Sequence, residues 1–429
     1  MGRHWVSLFR ACCTLAVLAL VATACAQEAQ SVLDDQPETV ELVVAGFPGH
    51  GFDELIVEWE REHPGVRVLF NERTYDEHHA FLAQSLGTAE VPDVAVVESA
   101  FAPRFLAMAD EFRNLTDLGA GDIEDTYLDW RWQEGVAPGG EVIGIPTDLG
   151  GLAVAYRTDL FAEAGLPTDR DEVAALWPTW DRFVAVGNEF VANSEVGFMD
   201  DAGTLFQVIV EQYRLQYYSE EGEMIASNST AVDLAWQYAL QAAVDQIDIG
   251  VESFTPEWNE GMANGDYAVL LAPAWMMSYI QQQAPNTAGL WDIASIPSAG
   301  GNWGGSHLTI PADTQHPELA WDLVSYLLGP SGQFTTFERH GNFPSIPALF
   351  ESDAILDSRK DFFNDAPVGQ IYGASALALE PSVVGPEQRA ITNIFGETLR
   401  LVRSGEIEPD DAWNAVTARL GDLEASGTG

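Results

Sequence analysis

Val40-Glu41-Leu42-Val43-Val44-Ala45-Gly46-Phe47-Pro48-Gly49-His50-Gly51 is the stretch that decides the fold class. Its β-branched run predicts a strand, and the glycine-rich turn behind it predicts an abrupt exit from a sheet. Residues 52–63 then place Leu55, Ile56 and Trp59 at helical spacing and stop at Pro64-Gly65, the pattern of an amphipathic helix. A second strand is expected over 66–70, a second helix over 75–86 and a third strand over 93–97. Strand and helix alternating in this way predict βαβ units, an α/β class and a mostly parallel sheet. Ligands of such sheets sit beyond the carboxyl ends of the strands. Residues 47–51, 71–75 and 98–101 are therefore the first candidates for a site.

Working outward, a strand-like stretch over 142–146 leads into Thr147-Asp148-Leu149-Gly150-Gly151, and an apolar run over 152–156 follows at once. Helical signals dominate from 180 to 246. Strand signals return at 267–271, 292–295 and 307–310, and helices are expected over 318–328 and 409–423. The acids Asp410 and Asp411 suit the first turn of the last helix. No internal repeat or low-complexity tract is present. Two α/β units joined by glycine-rich crossings predict two lobes with a cleft between them.

The 429 residues hold 66 Asp or Glu against 19 Lys or Arg, a formal net charge of −47. A surface of that sign repels phosphate backbones, which excludes nucleic acid as a partner. With 47% hydrophobic and 10% aromatic residues the chain has ample material for a core, which excludes disorder. All three cysteines, Cys12, Cys13 and Cys25, fall in the first 25 residues. Arg3 and Arg10 precede an apolar stretch over 11–21 that ends in Ala22-Thr23-Ala24-Cys25, the layout of a secretory signal over residues 1–24. Cleavage there leaves one cysteine, so a disulfide, a catalytic thiol or a cysteine zinc site is not expected in the mature fold. The small residues before Cys25 resemble the lipobox of bacterial lipoproteins, with Ala22 where leucine is usual. That implies lipidation of Cys25, a tether over 25–38, and contact with the membrane only through the lipid.

Further along, Ile145-Pro146-Thr147-Asp148-Leu149-Gly150, the run Ala155-Tyr156-Arg157-Thr158-Asp159-Leu160-Phe161-Ala162-Glu163-Ala164-Gly165-Leu166-Pro167, and Trp180-Asp181 stand in order. So do Gly265-Asp266-Tyr267-Ala268, Ala272-Pro273-Ala274-Trp275, Gly304-Gly305-Ser306 and Gly341-Asn342-Phe343-Pro344-Ser345. This wording resembles the extracellular solute-binding proteins of carbohydrate ABC importers over nearly the whole chain from Leu42 to Leu420, and 145–167 is its most specific part. The resemblance implies a periplasmic-binding-protein-like fold of two lobes, hinge crossings and an interlobe cleft that closes on a sugar. It also implies delivery to ABC permease subunits in the membrane. The expected division is 39–147 with 306–355 as lobe I and 148–305 with 356–429 as lobe II. Hinge segments are expected near 148–151, near 303–306 and after Phe350.

A sugar offers apolar CH faces and a rim of hydroxyls, so its site needs aromatic platforms beside carboxylates and backbone groups. Asp148 stands at a strand end among glycines, where a carboxylate can accept two hydroxyls. Glu98 and Glu72 end the third and second strands at the same rim, and Phe47 and His50 sit in the first strand-end loop. Trp275 resembles the family's cleft tryptophan. Trp303 and Gly305 belong to a glycine-rich turn unable to hide a large ring unaided. Phe343 and Tyr372 lie in stretches that read as loops, and Asp200 with Asp201 completes the candidates from the second lobe. Trp59, Trp236, Trp321 and Trp413 lie on amphipathic helices and are expected to be structural.

An enzyme is the rival reading. Paired carboxylates also serve glycoside-acting enzymes, but no Gly-x-Ser-x-Gly turn or His-Glu-x-x-His helix is present. His78 and His79 are adjacent and therefore point apart on a helix, and are expected to be exposed rather than to share a metal. No cofactor is expected. An anionic ligand would want arginines at the strand ends, where only Arg73 and Arg104 are near. A cationic ligand such as a polyamine is the alternative that the acidic rim allows. The sequence thus predicts a monomeric, non-catalytic receptor for a neutral mono- or oligosaccharide.

Overall fold

The computed structural model describes residues 39–298, 300–379 and 381–427. The expected signal, Cys25 and the tether therefore lie outside the described residues. Two sheets divide the rest. The first takes β1 (Val40–Gly46), β2 (Val66–Glu72), β3 (Val94–Glu98), β4 (Gly144–Pro146) and β9 (Ser306–Thr309), in the order β2-β1-β3-β9-β4. The second takes β5 (Leu152–Arg157), β6 (Gly197–Met199), β7 (Tyr267–Pro273) and β8 (Trp291–Ala294), in the order β6-β7-β5-β8. Each sheet anchors a core of its own. Leu42, Val44, Val96 and Leu308 meet Trp59 and Leu323 in the first lobe. Val154, Tyr156 and Leu271 meet Phe161, Phe183 and Phe206 in the second. β3, β5 and β7 are buried along their whole length, as central strands covered on both faces must be.

The expectation of mostly parallel sheets is corrected. β1 pairs in parallel with β2 and β3, but β9 runs antiparallel to both of its neighbours. In the second sheet β6 and β7 are parallel, and β5 is antiparallel to both β7 and β8. β5 and β9 are the strands by which the chain enters one lobe from the other. A strand arriving across the hinge comes in from the cleft side, so it must run against strands that end there. The helical stretch expected over 180–246 is also interrupted. Gly197–Met199 forms β6 between the helices Trp180–Ala192 and Ala202–Val210.

The elements begin and end where the side chains dictate. Asp169, Thr179 and Thr255 each accept a backbone N–H in the first turn of the helix that follows, satisfying donors a helix start leaves free. Gly265 and Gly341 end helices in the left-handed conformation. Trp59 is fully buried and its indole N–H reaches Asp322 at 2.8 Å, and Trp236 and Trp413 pack together at 5.7 Å. Among the described residues no helix is long and apolar enough to cross a membrane.

Candidate interlobe binding site

Three chain segments cross between the lobes side by side. Leu149 N donates to Phe343 O at 2.7 Å, Trp303 N to Gly150 O at 2.8 Å, and Thr147 N to Ser306 O at 2.8 Å. The third segment is thus met at Phe343 rather than after Phe350. A β-carbon on Gly150 would stand 1.8 Å from Trp303 O, so only glycine lets these segments approach so closely. Arg131, fully buried, ties them together. Its Nε donates to Asp148 O at 3.1 Å, Nη2 to Ser306 O at 2.9 Å and Nη1 to Ser99 Oγ at 2.7 Å, and it pairs with Glu134. A guanidinium offers five fixed donors, and here four groups from separate segments receive them.

Above this hinge the lobes present complementary chemistry. From the first lobe comes Glu98, at the end of β3, almost buried. Its Oε2 accepts from Tyr75 Oη at 2.5 Å and from Ala100 N at 2.8 Å. Burial raises its pKa above the usual glutamate range, and the Tyr75 bond opposes that shift. Phe47 stands edge-on to Tyr75 at 5.2 Å and to His50 at 4.6 Å. From the second lobe comes Trp275, just past β7, partly exposed, with Trp303 edge-on to it at 5.8 Å and accepting its indole N–H at 3.1 Å. A β-carbon on Gly304 would lie 3.3 Å from Glu98 Oε1 and 3.6 Å from Trp275 Nε1. One glycine therefore brings an acid of one lobe and an aromatic of the other to a common point.

The lobes also touch beyond the hinge. Arg389, at the start of the helix Gln388–Arg403, lies 5.4 Å over the ring of Tyr75 and 3.9 Å from Asp76. Glu211 follows the helix Ala202–Val210 and accepts from Gln216 at 3.1 Å. Burial pushes its pKa up to about 8, and the charges of Glu98 and Glu134 add to the rise.

The expected site residues separate into those this arrangement gathers and those it does not. Glu98, Trp275 and Trp303 meet around the hinge, and Phe47 reaches them only through Tyr75. Gly305, at φ +99°, lets its neighbours pass Arg131 and the Asp148 carbonyl. Asp148 is buried there, with Oδ1 accepting from Thr147 Oγ1 at 2.5 Å and from Ser306 N at 3.3 Å. One of its oxygens is thus spent on the hinge itself. His50 is buried between Phe47 and Phe52, and burial lowers its pKa to about 3, so it is neutral.

Other expectations are corrected. Phe343 is fully buried against Phe337 and Phe350, because the hinge strand turns its ring inward. Tyr372 is fully buried in the helix Val368–Leu377, not in a loop, and its hydroxyl donates to Ala272 O at 3.3 Å. Asp200 is buried in the second lobe and accepts from Trp258 Nε1 at 2.8 Å, while Asp201 pairs with Arg400 at 2.9 Å. Glu72 is exposed beside Asp53 on a shallow depression. His78 and His79 are both fully buried rather than exposed. His78 donates to Val96 O at 2.6 Å, and His79 donates to Tyr75 O at 2.7 Å while accepting from Glu98 N at 3.1 Å. They brace the strand end that carries Glu98. Among the described residues no group of acids, histidines and cysteines is disposed to hold a metal ion.

Arg131, Glu134, Glu211 and Arg389 escaped the sequence reading, whereas Tyr75 lies in the strand-end segment 71–75 already singled out without being named as a site residue. The four sit in unremarkable acidic or helical stretches, and only the hinge brings them together.

Known proteins resemble this chain over most of its length. Residues 48–334 match the family model of bacterial extracellular solute-binding proteins. An arabinooligosaccharide-binding protein of Halalkalibacterium halodurans is 26% identical over 322 residues, 70% of each chain. A lactose-binding protein of Rhizobium radiobacter is 28% identical over 314 residues, 69% of this chain and 70% of its own. The crystal structure of an extracellular solute-binding protein of family 1 superposes with a TM-score of 0.78 at 32% identity. That match covers 88% of this chain and 98% of the other.

Proposed function

Because the chain belongs to the bacterial extracellular solute-binding protein family, we propose that it is the capture subunit of an ABC importer, binding a neutral mono- or oligosaccharide between its lobes for delivery to a membrane permease. The observation that carries this reading is the meeting of the Trp275–Trp303 pair with Glu98 and Tyr75 at Gly304. The indoles supply flat apolar faces for sugar CH groups, and the carboxylate supplies a strong hydroxyl acceptor. Lobe closure strengthens those polar contacts by excluding water. The sugar shifts the equilibrium toward the closed form only by binding that form more tightly. The relatives described above are named for arabinooligosaccharides and lactose, both neutral sugars.

In this reading the protein binds without catalysis. The lobes divide as 39–147 with 306–355 and 148–305 with 356–429, except that the last boundary moves up to the crossing at Phe343. The chain is exported by its first 24 residues, and lipidated Cys25 holds it as a monomer at the outer face of the cytoplasmic membrane. Phe47, Glu98, Asp148, Trp275, Trp303 and Gly305 form the site, with Tyr75 positioning Glu98. A polyamine finds little favour, because Arg131 and Arg389 already offset the charge of Glu98. A thermal-shift and calorimetric panel of arabinose, galactose, lactose and their oligomers beside spermidine tests the proposal. A sugar should raise the melting temperature, since it binds only the folded state. A response to spermidine alone would overturn it.

A further inference from the structure

Phe254 carries two unfavourable features at once. The residue is 48% exposed, and its backbone is left-handed at φ +69°, a conformation L side chains rarely adopt. Neighbouring contacts hold it so. Ser253 Oγ meets Thr204 Oγ1 at 3.3 Å, Glu252 pairs with Arg400 at 3.5 Å, and Thr255 both bonds Glu252 O at 2.8 Å and caps the helix Pro256–Asn264. With residues on both sides fixed, the ring cannot sink into the core. It lies instead over fully buried Trp258 at 5.2 Å, nearly parallel to Trp275 with centroids 6.1 Å apart at 29°, and edge-on to Tyr279 at 5.5 Å. Trp303, Trp275 and Phe254 are thus linked by successive ring contacts of 5.8 and 6.1 Å that begin at the hinge.

We propose that Phe254 is the outer platform of an extended sugar site, stacking a ring of the ligand beyond the one held at Trp275, so that the receptor selects oligosaccharides over monosaccharides. The inference rests on the carbohydrate reading above and adds chain length to it. A series of separate aromatic platforms serves a ligand of several rings, since a single sugar ring occupies only one of them. A sugar over the ring would remove the exposed apolar area at Phe254.

The test is calorimetry on the wild-type protein, Phe254→Ala and Phe254→Gly, with arabinose against arabinotriose and galactose against galactotriose. Glycine accepts a positive φ, so Phe254→Gly should melt no lower than wild type and separates stacking from folding. Wild type should prefer a trisaccharide to its monosaccharide. Both variants should lose about tenfold in trisaccharide affinity and less than about twofold for the monosaccharide. Variants that keep the wild-type preference for length would overturn the proposal. Wild-type binding of monosaccharides alone would also overturn it while leaving the carbohydrate receptor intact. Failure of every sugar to bind would remove the receptor reading and this inference together.

Discussion

The phenol of Tyr75 donates to Glu98 Oε2 at 2.5 Å, which holds one carboxylate oxygen and leaves Oε1 facing hinge Gly304 and the Trp275 indole. Removing the phenol frees the carboxylate to rotate and raises its pKa further, because that bond favours the charged form. Tyr75→Phe should therefore weaken sugar binding by about 1–2 kcal/mol near neutral pH. The deficit should grow as the pH is lowered. Isothermal titration at several pH values measures it, and a pH-independent deficit would show that Glu98 is not the group affected.

Trp275→Ala should cost on the order of 1–4 kcal/mol in sugar affinity with little change in melting temperature, because the ring is partly exposed. Asp148→Ala should behave differently, lowering both affinity and stability, since its carboxylate accepts from Thr147 and Ser306 within the hinge. Paired calorimetry and thermal denaturation would tell these outcomes apart.

Arg131 offers a sharper stability test. Arg131→Met leaves the partly buried Glu134 without its cation and strips donors from the carbonyls of Asp148 and Ser306. Breaking a pair whose cation is fully buried should cost about 3 kcal/mol in chemical denaturation. Arg131→Met combined with Glu134→Gln should recover part of the loss, because no unpaired charge then remains.

Gly150→Ala should cost about 1–3 kcal/mol, with the added methyl forced against Trp303 O. Unchanged stability would mean that the crossing segments are not held as closely as the geometry requires.

The stability contributed by three buried aspartates should fall as the pH rises toward neutral. Burial raises Asp200 and Asp248 to about 7 and Asp201 to about 6, against an ordinary value of 3.8. A carboxyl with a raised folded pKa binds its proton more tightly when folded. Its contribution is therefore complete below the unfolded value and is lost as the pH climbs through the folded one. Each pH step of one between those two values removes about 1.4 kcal/mol. Glu211, raised to about 8, extends the decline. Asp200→Asn, which can still accept the Trp258 indole N–H, should flatten the profile between about pH 4 and pH 7. Urea denaturation across that range reads the slope directly.

Much of this architecture was legible before any coordinates. The strands at 40–46, 66–72, 94–98, 152–157 and 267–273 announce themselves by β-branched or continuous apolar runs, which burial on both faces demands of the last three. Glu98 and Phe47 follow from the strand ends alone, since those ends open toward the ligand in α/β sheets. The direction of β5 and β9 was not legible, as a strand's composition is the same whichever way it runs. Phe343 and Tyr372 read as cleft aromatics and proved to be core, because one residue's turn of a strand or helix exchanges solvent for interior.

The sequence by itself determined the α/β class, the glycine crossings and the net charge, which depend on local pattern and on counting. Only the tertiary structure decided which groups face one another. Arg131 meets the carbonyls of Asp148 and Ser306, Arg389 covers Tyr75, and Phe254 reaches Trp275. Each partnership joins segments from 17 to 314 positions apart along the chain, and nothing in local spacing reports a contact made by folding the chain back on itself.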